Sequence, residues 1–160
     1  MGEYAPTIED EVGSLQEEGD LHLIGRVRDR LLALPLRSLK SANRIERYIH
    51  LPGVPELVFG LVSFDGAIEV AVDLGIRFGF SRLECGEATR AVLLARGELR
   101  AALLFDELLG MAPIKPDEVL TSSQPLTEES VKVGNAKWNG HDVAILDTDT
   151  LADNLLKLQR

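Results

Sequence analysis

The stretch from Leu51 to Phe80, LPGVPELVFGLVSFDGAIEVAVDLGIRFGF, decides how the rest of the chain is read. Val58 to Phe64 is a largely apolar run of the buried-strand kind. Asp65-Gly66 is a turn pair that tolerates positive φ, and Ile68, Val70 and Val72 recur at every second residue. Together these predict a β-hairpin. Pro52-Gly53 and Pro55 punctuate its entrance, and Asp73 and Gly79 mark its exit.

Toward the N-terminus, Leu36 to Ile45 carries apolar residues at 36, 39, 42 and 45, a threefold spacing that suits a short helical turn or an irregular strand. Before it, Leu21, Leu23 and Val27 predict a first strand, Arg28-Asp29 a turn, and Leu31 to Leu34 a returning strand that stops at Pro35. Residues 1–19 are acidic and lack sustained periodicity, so they predict a flexible tail with at most a helical turn around Ile8 to Leu15; the folded domain is placed at 20–160.

Toward the C-terminus, Ser81 to Glu87 reads as a polar link. Thr89 to Ala95 and Leu99 to Phe105 predict a strand pair around Arg96-Gly97-Glu98, and Leu108 to Met111 continues extended. Pro113, Pro116 and the TSSQP run from Thr121 to Pro125 predict a long surface loop. Val131 to Trp138, Asn139-Gly140 and Val143 to Leu146 form the clearest hairpin signal, since Asn-Gly suits a two-residue type I′ turn. The end, DTDTLADNLLKLQR, predicts a helix with Asp147 or Thr148 as N-cap and Leu151, Leu155 and Leu158 on one face. Nine or ten short strands with one helix imply a closed or nearly closed all-β architecture.

Composition bounds the function. At 160 residues, 45% hydrophobic and 27% charged, the chain has the makeup of one soluble domain or two small lobes sharing a core. No stretch approaches the roughly 18 apolar residues of a membrane span, and the start MGEYAPTIEDE lacks the features of a secretory signal. The single cysteine, Cys85, excludes an internal disulfide, and a reducing cytoplasm is expected.

The net charge of −9 is unevenly placed: residues 1–20 hold seven acids and no bases, while the remaining 140 hold 19 acids against 17 bases. A nearly neutral body makes nucleic acid an unexpected partner. One local exception runs from Arg26 to Arg47, with seven bases against two acids. Arg26, Arg28 and Arg30 of the first hairpin are therefore candidates for an acidic partner's patch, or else they solvate the outer faces of strands.

The central stretch resembles the CheW-like coupling-protein family of bacterial chemosensory systems, which reads roughly LPxxPxxxxGvxNLRGxvIPVvDLrxrfG. The matching residues are Leu51, Pro52, Pro55, Gly60, Val62, Gly66, Val72, Asp73, Leu74, Arg77, Phe78 and Gly79. Ala102 to Asp106 resembles the family's GLLVD segment, and Val133-Gly134, Asn139-Gly140 and Leu146-Asp147 resemble its closing hairpin. The resemblance implies two five-stranded SH3-like barrel lobes joined around an apolar seam, with a C-terminal helix, and it implies a strand within Leu36 to Ile45. It also implies a non-enzymatic adaptor, without cofactor or membrane insertion. Such an adaptor joins the regulatory domain of a CheA-type histidine kinase to the tip of a methyl-accepting chemoreceptor, and can contact other CheW-like domains.

The departures fall at charged positions that, in the family, face the receptor. NLRG becomes Ser63-Phe64-Asp65-Gly66, placing an acid where the family has arginine. The family's V-x-E-V segment aligns with Leu39-Lys40-Ser41-Ala42, so its glutamate is Ser41, and the proline of IPV is replaced within Glu69-Val70-Ala71. Leu39, Ser41, Ser63, Phe64 and Asp65 are thus the candidate receptor-type face, with altered receptor specificity or a loss of receptor coupling as the expectation. The rival reading is a small-molecule-binding or catalytic β-barrel. For that, convergent reactive groups are needed, whereas His22, His50 and His141 are scattered without ligand spacing, and Cys85 reads as an incidental thiol. Neither GxxxxGK[ST] nor a strand–GxGxxG–helix occurs.

Overall fold

The computed structural model describes residues 20–116, 119–121 and 132–158. The predicted tail over 1–19 and nearly all of the TSSQP run lie outside the described residues. Twelve strands and one α-helix are described: β1 Asp20–Val27, β2 Arg30–Pro35, β3 Leu39–Arg44, β4 Arg47–Ile49, β5 Val58–Phe64, β6 Ala67–Val72, β7 Arg90–Arg96, β8 Leu99–Phe105, β9 Glu107–Ile114, β10 Leu120–Thr121, β11 Lys132–Trp138, β12 His141–Leu146 and α1 Thr148–Leu158.

They form two curled six-stranded sheets, in the orders β10-β11-β12-β2-β1-β9 and β3-β7-β8-β6-β5-β4. These are the two β lobes with a C-terminal helix that the resemblance implies, each sheet counting a sixth, short strand, β4 of three residues and β10 of two. The second lobe is one continuous piece of chain, Leu39 to Phe105, whereas the first is assembled from β1–β2 and β9–β12. Each sheet is antiparallel except for one central parallel pair, β12 with β2 and β6 with β8.

The central strands read as unbroken apolar runs because both of their faces are covered. In β8, Leu99, Ala101, Leu103 and Phe105 join a core shared by both lobes, while Ala102 and Leu104 fill the inside of the second lobe. In β2 and β12, Leu32, Leu34, Ala144 and Leu146 join the same shared core, while Ala33, Val143 and Ile145 fill the first lobe. The shared core is the seam. Each leucine buried there contributes about 1.5–3 kcal/mol, and α1 covers it with Leu151, Ala152 and Leu155.

Both predicted asparagine- or aspartate-glycine turns form as expected, with positive φ at Asp65 and Gly66 and at Asn139 and Gly140. Asp147 is the cap of α1: its Oδ1 accepts from the Asp149 and Thr150 amides at 3.0 and 3.4 Å. The threefold spacing after Pro35 resolves into both of its readings. Leu36–Ser38 is a 3-10 turn and β3 follows, with Leu36 and Leu39 packed on the seam.

Candidate functional site

The two lobes are tied together at the β1–β2 turn. Arg28 sits at the β1–β2 turn with φ 55°, in the left-handed region. Its Nη2 pairs with the Asp73 carboxylate. Its Nη1 donates to Asp106 Oδ2 at 3.0 Å, and its backbone amide donates to the same oxygen at 2.7 Å. Nε and Nη2 donate to the Ser81 carbonyl at 3.1 and 2.9 Å. Asp73, 1% exposed, also accepts from the Gly75 amide at 3.1 Å and the Leu83 amide at 2.9 Å.

One arginine from the first lobe is thus clasped by the exit of the central hairpin and by the end of β8. Burial opposes its charge, but the bonds and charges of Asp73 and Asp106 outweigh that, and the guanidinium holds its proton more firmly than usual. Every guanidinium nitrogen of Arg28 makes a hydrogen bond within the protein. Arg26 donates to the Arg28 carbonyl at 2.7 Å and reaches Glu107 at 3.5 Å, while Arg30 lies 4.8 Å over the Phe78 ring. These three arginines serve the lobe junction and its borders.

The candidate receptor-type residues divide by exposure. Asp65 is exposed at the tip of the β5–β6 turn, Ser63 is partly exposed on the outer face of β5, and Leu39 and Ser41 are partly exposed on β3. Phe64 is withdrawn from the face: at 2% exposure it points into the second lobe's core beside Phe59 and Val62. Strand alternation is the cause, since Ser63 faces out and its neighbour must face in. β3 and β4 end the sheet order on opposite sides, yet only Ile45 and Glu46 separate them, and the Glu46 amide donates to the Ser63 carbonyl at 2.8 Å. The sheet curls enough to bring the β3–β4 connection to the end of β5.

A second surface, not foreseen from the sequence, surrounds β4. Tyr48 and Ile49 are 47% and 63% exposed, and a groove of about 450 Å³ separates β4 from the segment Cys85–Thr89. His50 packs edge-on against Tyr48 and Phe59, and Tyr48 and Phe59 meet at a tilt, with ring centroids 4.8–5.5 Å apart; Arg82 lies 5.0 Å over Phe59 while donating to its carbonyl at 2.5 Å. The alternation of Tyr48 and His50 was the available signal, hidden by the shortness of β4. Cys85 lines this groove; burial pushes its thiol up, with the Asp73 and Asp106 charges adding to the effect, so little thiolate forms at neutral pH. Among the described residues no group of three or more His, Cys, Asp or Glu is placed to hold a metal, and no helix is long and apolar enough to cross a membrane.

Comparison with known proteins gives one consistent result. The family model described as CheW-like domain matches residues 22–155. The chain is similar to the chemotaxis protein CheW of Bacillus subtilis (strain 168), with 21% identity over 140 residues that cover 82% of this chain and 90% of that protein. Its fold is similar to the crystal structure of the scaffolding protein TtCheW from Thermoanaerobacter tengcongensis, with a TM-score of 0.68 and 19% identity over 80% of this chain and 88% of that one.

Proposed function

The chain belongs to the family of CheW-like domains, and from that premise we propose that it is a non-enzymatic scaffold of a chemotaxis-type signalling assembly in the cytoplasm. It joins the regulatory domain of a CheA-type histidine kinase to a chemoreceptor tip or to other CheW-like domains, with a receptor preference changed by its own charges. The observation that carries this reading is the β5–β6 turn. Asp65 is held out in solvent by a two-residue turn with positive φ at Asp65 and Gly66, at the position where the family resemblance places arginine. A reversed charge on a rigid exposed turn repels the acidic partner an arginine would attract and accepts a basic one. Leu39, Ser41 and Ser63 complete the face.

The test is a titration of the whole chain, by calorimetry, against the regulatory domain of a CheA-type kinase and against chemoreceptor tip fragments, with Asp65→Arg in parallel. Binding to both, with receptor affinity moved by Asp65→Arg and kinase affinity unmoved, is the expected result. Kinase binding alone assigns an array component that works without receptor. Binding to neither removes the scaffold reading.

A further inference from the structure

We propose that one end of the first lobe binds a small aliphatic cation, an alkylammonium or alkylguanidinium group, received by the imidazole of His22 beneath a rim of carboxylates. The inference does not rest on the scaffold reading, whose candidate residues belong to the second sheet.

The geometry follows from strand alternation. Asp20, His22 and Ile24 point to the same side of β1, and Ile24 lies in the core inside the first lobe with Ile114 and Ile145. Along that inner face the row runs from Ile24 in the core through His22 to Asp20 at the end of the sheet. β1 begins there, and β2, β9 and β12 end there. A cavity of about 270 Å³ opens at this end, where Ile114 and Ile145 meet the carboxylates of Asp20, Asp147 and Asp149.

His22 lines the cavity and is only 6% exposed, so its ring is a buried polar group that needs partners. Nδ1 lies 2.8 Å from the Asp20 carbonyl oxygen. A carbonyl only accepts, so Nδ1 carries the proton and Nε2 the lone pair. Burial lowers the pKa of the ring, outweighing the bond to the Asp20 carbonyl and the Asp20 charge, and keeps it neutral at pH 7. Among the described residues nothing donates to Nε2. The cavity therefore holds a neutral acceptor, fixed in direction by its own backbone bond, that calls for a donor.

The surrounding charge selects which donor. Three carboxylates line the cavity against the one guanidinium of Arg37, which pairs with Asp20 at 3.2 Å. Asp147 caps α1 and Asp149 pairs with Arg96, so these acids supply field while His22 supplies the directed bond. A negative cleft attracts a cation and repels an anion, and the isoleucines suit an alkyl stem. A metal ion fits less well, since among the described residues no group of three or more His, Cys, Asp or Glu is placed to hold one. The volume, just below the roughly 300–1,000 Å³ usual for ligand pockets, limits the guest to a few carbons and one charged head.

The test is an NMR titration of the whole chain at neutral pH with n-butylamine and n-butylguanidine, using n-butanol and butyrate as neutral and anionic controls. Guests of so few atoms bind with dissociation constants of about 1 mM, so additions up to about 20 mM suffice. Both cations should shift the Ile114 and Ile145 methyl signals saturably and move the His22 Nε2 resonance, while the controls bind about tenfold more weakly or not at all. The Nε2 shift is read in the native chain and does not depend on how any variant folds. His22→Phe, which keeps a ring but lacks the acceptor, should weaken the cations about tenfold. Asp149→Asn, at an exposed rim position, should weaken them about threefold. A peptide whose one charged side chain is arginine, if it binds more tightly than n-butylguanidine, assigns the guest to a partner protein; if it binds no more tightly, the guest is a free small molecule. No saturable shift with either cation, an equal response to butyrate or n-butanol, or an unmoved Nε2 resonance overturns the proposal.

Discussion

At the scale of single residues, Arg28 ties the β1–β2 turn to the second lobe. A non-glycine residue in the left-handed region costs roughly 1–2 kcal/mol, yet there its backbone amide and guanidinium reach the same Asp106 oxygen while Nη2 reaches Asp73. The clasp offsets the backbone cost. Arg28 is only 15% exposed and Asp73 1%, so Arg28→Met leaves a buried carboxylate without its cation, and a loss of about 3–5 kcal/mol is expected in denaturant titration. Arg28→Lys keeps the charge and loses the planar fork, so its stability should fall between the two. Arg96→Ala, which breaks a solvent-exposed pair with Asp149, should cost about 1 kcal/mol or less. Equal losses for the buried and exposed arginines would show that the clasp contributes no more than a surface pair.

At the scale of elements, β4 is the strand whose existence depends on one glycine. Gly60 has φ 149°, and a Cβ built there would lie 2.0 Å from the Ile49 carbonyl oxygen, a backbone atom that can retreat only if β4 leaves β5. Gly60→Ala should therefore cost about 1–3 kcal/mol of strain. Hydrogen exchange should rise at Tyr48 and Ile49 while β7 and β8 keep their protection. Uniform loss of protection would instead mean that β4 and the rest of the lobe open as one unit. The same local detachment would widen the groove beside Cys85.

The elements also show how far the sequence could be read. The hairpins β5–β6, β7–β8 and β11–β12 were legible because each joins apolar runs through a turn of recognisable chemistry. β4 was not legible, since three residues cannot show a period and its partner strand lies nine or more residues away in the chain. Of the candidate face, the exposed turn at Asp65 was legible from its Asp-Gly chemistry, while the burial of Phe64 follows from strand alternation beside Ser63.

At the scale of the whole molecule, the seam joins everything. Strands from both sheets and α1 place Leu32, Leu103, Phe105, Leu146 and Leu151 in one core. The first lobe draws its strands from both ends of the described chain, on either side of the continuous second lobe. The lobes should accordingly unfold together. Leu103→Ala, at a fully buried seam position, is expected to cost about 2–5 kcal/mol and to move the unfolding midpoints of probes in both lobes by the same amount. Separate midpoints would show that each lobe is stable without the seam.

The sequence by itself determined the all-β class, the main hairpins, the capped terminal helix and the family resemblance, because these rest on local periodicity, turn chemistry and residue order. Tertiary structure alone decided that Arg28 is a clasp between lobes, that Phe64 is core, and that Tyr48 and Ile49 stand exposed beside a groove. The physical reason is the same each time. Whether a charge is satisfied or a ring is covered depends on groups far away in the chain, and only the closing of the two sheets brings those groups within bonding distance.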